Sequence, residues 1–96
     1  MRRGDTETMT LTLPEAVTAE AMFITFRQGG RTVLEKSLEN VSGASVNVSL
    51  GQEDTLLFAA NSPVTMQLRY RDSEGNVRSS NPVRFTVGEV LKDGVI

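Results

Sequence analysis

Across residues 63–87 apolar and polar side chains alternate with little interruption. Val64, Met66, Leu68 and Tyr70 fall on one side, and Thr65, Gln67, Arg69 and Arg71 on the other. This is the period-2 pattern of a strand with one buried face. After a polar loop, Val83, Phe85 and Val87 alternate with Arg84, Thr86 and Gly88. The two runs predict an antiparallel hairpin. Its inward residues are even-numbered before the loop and odd-numbered after it, so unbulged partners sum to an odd number. A four-residue loop at 73–76, with Gly75 and Asn76 to take positive φ, meets that condition. It predicts Met66 opposite Val83, Val64 opposite Phe85, Tyr70 opposite Ser79 and Arg71 opposite Arg78. Like charges placed directly opposite are destabilising, so the last pair marks a candidate site. With Arg69 and Arg84 it forms a basic patch for an anion or a protein partner. The competing reading is that Arg71 and Arg78 splay into water near Asp72 and Glu74, where exposed charges interact weakly.

Shorter alternating runs precede this hairpin. Met9, Leu11 and Leu13 alternate with threonines up to Pro14, which predicts an edge strand ended by the proline. A polar connection at 15–19 leads to a second strand over 20–27, with Met22, Ile24 and Phe26 inward. Gly29 and Gly30 supply a tight turn. The third strand, 32–38, has two possible registers. An even loop faces Phe26 with Val33, and a bulged three-residue loop faces it with Leu34. Either way an apolar side chain, Phe23 or one of Val33 and Leu34, is left on the outer face; one alone needs no explanation, and two together make a candidate contact. A turn-rich stretch at 39–45 leads to a fourth strand carrying Val46, Val48 and Leu50. At 51–58 the period changes. Glu53 and Asp54 open a short helical turn, where carboxylates complement the helix dipole.

Six short strands and one helical crossing predict an all-β fold, a small immunoglobulin-like antiparallel β-sandwich. The expected organisation is a single domain over 1–96, with 1–6 a flexible arm and 88–96 a tail. The tail ends in Val95 and Ile96, which either pack back or dock on a neighbour.

Composition narrows the chemistry. The chain has 96 residues, ten basic and twelve acidic, for a net charge of −2, and contains neither Cys nor His. Without those two residue types, most nucleophile–base pairs and transition-metal sites are ruled out. Lys36 and Lys92 stand in ordinary polar contexts, so a Ser–Lys pair is not indicated. The loop from Asp72 to Asn76 begins like a calcium loop but has its glycine two positions early and Val83 where a Glu is needed. Asn40-Val41-Ser42 and Asn47-Val48-Ser49 match the glycosylation pattern without any secretion signal. Met1-Arg2-Arg3 is followed by no apolar signal region. No stretch approaches the ~20 apolar residues of a membrane span. The mixed charges and the lack of an aromatic platform argue against nucleic acid. The expectation is therefore a non-enzyme with no cofactor and no metal, contacting neither nucleic acid nor membrane.

Several stretches together carry a resemblance. They are Met1-Arg2-Arg3-Gly4, Thr10-Leu11-Thr12-Leu13-Pro14, Ile24-Thr25-Phe26-Arg27-Gln28, the run from Val46 to Leu56, Val64-Thr65-Met66-Gln67-Leu68-Arg69, and the ending from Val87 to Ile96. The chain resembles a group of small β-rich proteins encoded among the structural genes of phages and prophages of gut Firmicutes, Clostridia especially. Gly29-Gly30 departs from the more acidic turn expected of that group, and no function is placed there. The resemblance implies a virion structural or assembly protein of the head–tail or tail module, made in the bacterial cytoplasm and carried into the virion. Its partners would be other virion proteins or further copies of itself. The residues expected to make these contacts are Phe23, Leu34, Arg69, Arg71, Arg78, Arg84, Val95 and Ile96. A ligand- or glycan-binding module and a transient assembly chaperone are the alternatives.

Overall fold

The computed structural model describes residues 1–96. Its elements are β1 (Glu7–Gln28), β2 (Arg31–Leu50), α1 (Gln52–Thr55), β3 (Pro63–Asp72), β4 (Val77–Ser79) and β5 (Val83–Thr86). The pairings between these strands are all antiparallel and belong to one five-stranded sheet, in the order β2-β1-β3-β4 with β5 also on β3. The helical turn lies between β2 and β3, where the acidic pair Glu53 and Asp54 placed it.

The first four expected strands are two long ones. Pro14 does not end a strand, because it falls in a bulge. Leu13, Pro14, Glu15 and Ala16 stand between the pairs Thr12↔Ser45 and Val17↔Gly43, opposite Ala44 alone. In such a bulge the missing proline N–H interrupts no ladder bond. On β2, Asn40 (φ 51°) and Gly43 (φ 110°) take left-handed conformations without breaking the pairing.

This corner folds the hairpin over. From Lys36 to Leu50 a straight strand would run about 46 Å, yet Lys36 Nζ lies 2.8 Å from Asp54 Oδ2, just past the end of β2. The far half of the hairpin, 7–12 paired with 45–50, therefore packs across the inner face of the near half. The principal extents of 47 × 26 × 18 Å fit two layers about 10 Å apart. The all-β antiparallel class stands. The strands form one sheet bent onto itself into two layers, whereas an immunoglobulin domain is described by two sheets.

One core joins both layers. Val46, Val48 and Leu50 from the far half and Leu13 from the corner meet Met22, Ile24, Phe26, Val64, Met66 and Leu68, closed by Phe58 and Val87. Phe26 makes edge-on contacts with Phe58 at 5.8 Å and Phe85 at 6.5 Å, the arrangement favoured by ring quadrupoles.

Residues 1–6, expected as a free arm, are tied to this core. Gly4 N–H donates to the hydroxyl of the fully buried Thr55 (2.9 Å), which donates to the Asp5 carbonyl (2.8 Å). Arg3 donates to the carbonyls of Phe58 and Leu56. Arg2 bridges to Gly88 in parallel.

Candidate functional site

The outer face of the near half is the candidate site. Its rows follow from the register. Phe23 stands between Ser37 of β2 and Arg69 of β3, and Ala21 stands between Glu39 and Arg71. Thr25 stands between Glu35 and Gln67. The edge beyond β3 adds Val77 opposite Arg71, Ser79 opposite Arg69 and Arg84 opposite Thr65. Phe23 is 45% exposed and Val77 55%. Glu35 and Glu39 stand on the β2 edge, Arg69, Arg71 and Arg84 on β3 and β5, and between them β1 carries Arg27 and, beside Arg71, Glu20.

The expected four-arginine patch is split. Arg71 faces Val77, and Arg78 faces Tyr70, so Arg71 and Arg78 are not opposed and lie on different faces. The cause is the turn. Asp72 N–H donates to the Asn76 carbonyl (2.9 Å), while Asp72 Oδ1 accepts from the N–H groups of Glu74 and Asn76. Only residues 73–75 are left in the loop, with Gly75 at φ 86°. That arrangement is an Asx turn closed by a left-handed glycine, and the Asp-x-x-Gly spacing was its signal in the sequence. An extra residue near Asn81 and Pro82 then restores the odd sum, so Met66↔Val83 and Val64↔Phe85 are found as expected. Ser80 seals the irregularity by accepting the Leu68 N–H on its hydroxyl (3.0 Å) and donating its own N–H to the Leu68 carbonyl (2.9 Å). Val83 points inward but is uncovered at the sheet edge, 48% exposed.

Ion pairing of these arginines is loose. Arg71 lies 3.5 Å from Glu20, and Arg78 lies 3.9 Å from Asp72. Arg69 and Arg84 form no ion pair. Exposed pairs of this kind stabilise by about 0–1 kcal/mol each.

Leu34 does not belong to the outward set. The Gly29-Gly30 turn pairs Arg27 with Thr32, a bulge at Val33 follows, and Leu34 then faces Phe26. Leu34 is half-buried against the core on the inner side. The loop is the two-residue one, but the bulge gives the Leu34 register. Both glycines have positive φ, 64° and 78°, as the mirror-image hairpin turn requires.

The tail lies on its own domain through polar contacts. Gln52 takes the Ile96 N–H (2.8 Å) and donates to the Ile96 carbonyl (3.1 Å), and Arg3 pairs with Asp93. The guanidinium hydrogen bond holds the Asp93 carboxyl below its ordinary pKa. Val95, Ile96 and Leu91 remain exposed. A second glutamine works the same way: Gln28 takes the Ala59 N–H (2.7 Å) and donates to the Ala59 carbonyl (2.9 Å). In each case a side-chain amide substitutes for a strand neighbour, a role that apolar periodicity does not reveal.

An open cleft of about 1120 Å³ lies on the other side, between the folded-over part of β1 and the β3–β4 end. Leu11, Leu13, Leu68, half-buried Tyr70 and Arg78 line it. Asp54, at the opposite end, is held below its ordinary pKa chiefly by the Lys36 hydrogen bond and then by the Gly51 N–H. No helix is long and apolar enough to cross a membrane.

No family model, curated protein or solved structure matches this chain.

Proposed function

We propose that the chain is a non-enzymatic structural or assembly protein of a phage or prophage particle, in the head–tail or tail module, working through protein–protein contacts. The observation that carries this reading is the outer face of the near half. An exposed aromatic sits at its centre, Glu35 and Glu39 stand on one side and Arg69, Arg71 and Arg84 on the other, and the β2 edge from Arg31 to Gly43 has no neighbouring strand. Open edges present free N–H and C=O groups to a partner, and charged residues such as Glu35, Lys36 and Glu39 on such an edge restrict which partner pairs. The resemblance to phage structural-module proteins supplies the context. Synthesis in the host cytoplasm followed by incorporation into the virion belongs to the same reading.

The test is quantitative mass spectrometry of particles induced from a host carrying the gene. A fixed ratio to the tail-tube or portal protein is the expected result. Abundance in the lysate with absence from particles sinks the structural role and leaves the assembly chaperone.

The Tyr70 cleft supports a second reading as a ligand- or glycan-binding module, because a half-exposed aromatic beside Arg78 and Asp72 suits a sugar. Binding on a glycan array, abolished by Tyr70→Ala, is the result that distinguishes it.

A further inference from the structure

The geometry points to a second copy of this chain as the occupant of the outer face, in a two-fold dimer whose axis runs parallel to β1 and passes by Phe23. This inference rests on the protein-contact reading of that face but not on the phage context.

The argument is one of register and charge. β1 is the central strand of the near half, with β2 on one side and β3 on the other. In the row of Ala21, β2 contributes Glu39 and β3 contributes Arg71. In the row of Phe23, β3 contributes Arg69; in the next row, Glu35 lies across from Gln67. A two-fold axis parallel to the central strand keeps each row but exchanges left for right. It therefore sets Glu39 of one copy on Arg71 of the other, twice over, and stacks Phe23 on its own counterpart. Arg69 then lies diagonally within reach of Glu35 across the interface. The other in-plane axis, perpendicular to β1, lays Glu39 on Glu35 and is opposed by like charge. The axis parallel to β1 also brings Arg27 of β1 onto its own counterpart, one like-charge contact against two Glu39–Arg71 and two Glu35–Arg69 attractions, so of the two strand-aligned face-to-face dimers it gives the more complementary.

The other conditions of such an interface are met. Two-fold contacts use the same patch on both copies and close after two. Sheets pack face to face with strands nearly aligned and about 10 Å apart. Four strands at about 4.8 Å spacing, over about nine residues, offer roughly 600 Å² per copy. Two such faces bury roughly 1,200 Å², the lower end for a specific interface. Arg71 and Glu20 are each 54% exposed and 3.5 Å apart, so Arg71 can turn to a new partner at little cost. Phe23 supplies the aromatic anchor, with the charged rows as a polar rim.

The test is sedimentation equilibrium of the purified chain over a concentration series to about 1 mM. A concentration-dependent dimer is expected. Glu39→Arg alone and Arg71→Glu alone should each raise the dissociation constant about tenfold or more, because each turns two attractions into two repulsions. The double variant, Glu39→Arg with Arg71→Glu, should restore it to within about threefold of the starting chain. Phe23→Lys should leave a monomer. Thermal unfolding of each variant shows that it is folded, and all three positions are exposed. A chain that stays monomeric throughout overturns the proposal. So does a double variant no tighter than the singles, or a dimer that survives Phe23→Lys. Monomeric behaviour with the chain still present in particles leaves the virion reading intact; a dimer formed by a chain absent from particles supports this interface and removes that reading.

Discussion

The two halves of the folded hairpin have the same backbone construction and opposite surfaces. On the far half the outward residues are Thr8, Thr10 and Thr12 paired with Ser49, Asn47 and Ser45. All are small, polar and uncharged, and Thr10 donates to Asn47 across the strands (2.9 Å). On the near half the outward set is Glu35, Ser37 and Glu39, then Phe23, then Arg69 and Arg71. Both halves bury an apolar inner face in one shared core. Stability therefore comes from what the halves have in common, and the proposed recognition from where they differ. A face of hydroxyls keeps water and chooses no partner, whereas a face with separated charges and one aromatic distinguishes one docking geometry from another.

Perturbing the shared core should have the largest effect. Phe26→Ala removes a ring in contact with Phe58 and Phe85 and should destabilise by about 3–5 kcal/mol, read as the midpoint shift in urea. A loss below about 1 kcal/mol would mean that the two layers do not share a tight core. Next is the clasp at the open end. Thr55→Val keeps the shape but strands the Gly4 N–H and the Asp5 carbonyl and should cost about 1–3 kcal/mol.

The link between the halves is smaller and depends on pH. Lys36 belongs to the near half, while Asp54 follows the far half. The Asp54 carboxyl has its pKa lowered in the folded state. Its contribution is therefore fully present above the unfolded carboxylate value and is lost as the pH falls through the folded value. Asp54→Asn should remove about 0.5–1 kcal/mol near neutrality. It should also flatten the fall in stability below about pH 4. Equal acid sensitivity in the variant would show that the pair does not join the halves. Deleting residues 88–96 should leave the fold intact at a modest cost, since Val87 stays in the core and the tail is held by polar contacts; unfolding of the truncated chain would place the tail in the core.

The smallest effect sharpens the contrast most. Thr10→Val on the far half should change stability by less than about 0.5 kcal/mol and leave association untouched. The matching change at Phe23 should leave stability alone and abolish association. If both substitutions behave alike, the two surfaces do not differ in function.

Much of this was legible in the residues. Alternation placed Met22, Ile24, Phe26, Val46, Val48, Leu50, Val64, Met66 and Leu68 inside, because a period of two fixes which side chains share a face wherever the strand runs. It also placed Phe23 outside, and the acidic pair at 53–54 located the helical turn. Periodicity is a local property, so pattern alone reaches that far. Three other features depended on groups distant in the chain or on backbone counts of one residue. The Asp72 carboxylate closes a shorter loop and sends Arg78 to the face opposite Arg71. The bulge at Val33 turns Leu34 inward. The corner at 13–16 joins expected strands and folds one sheet into two layers. A single added or missing residue reverses every side chain beyond it, and only the completed set of hydrogen bonds decides which of those alternatives the chain adopts.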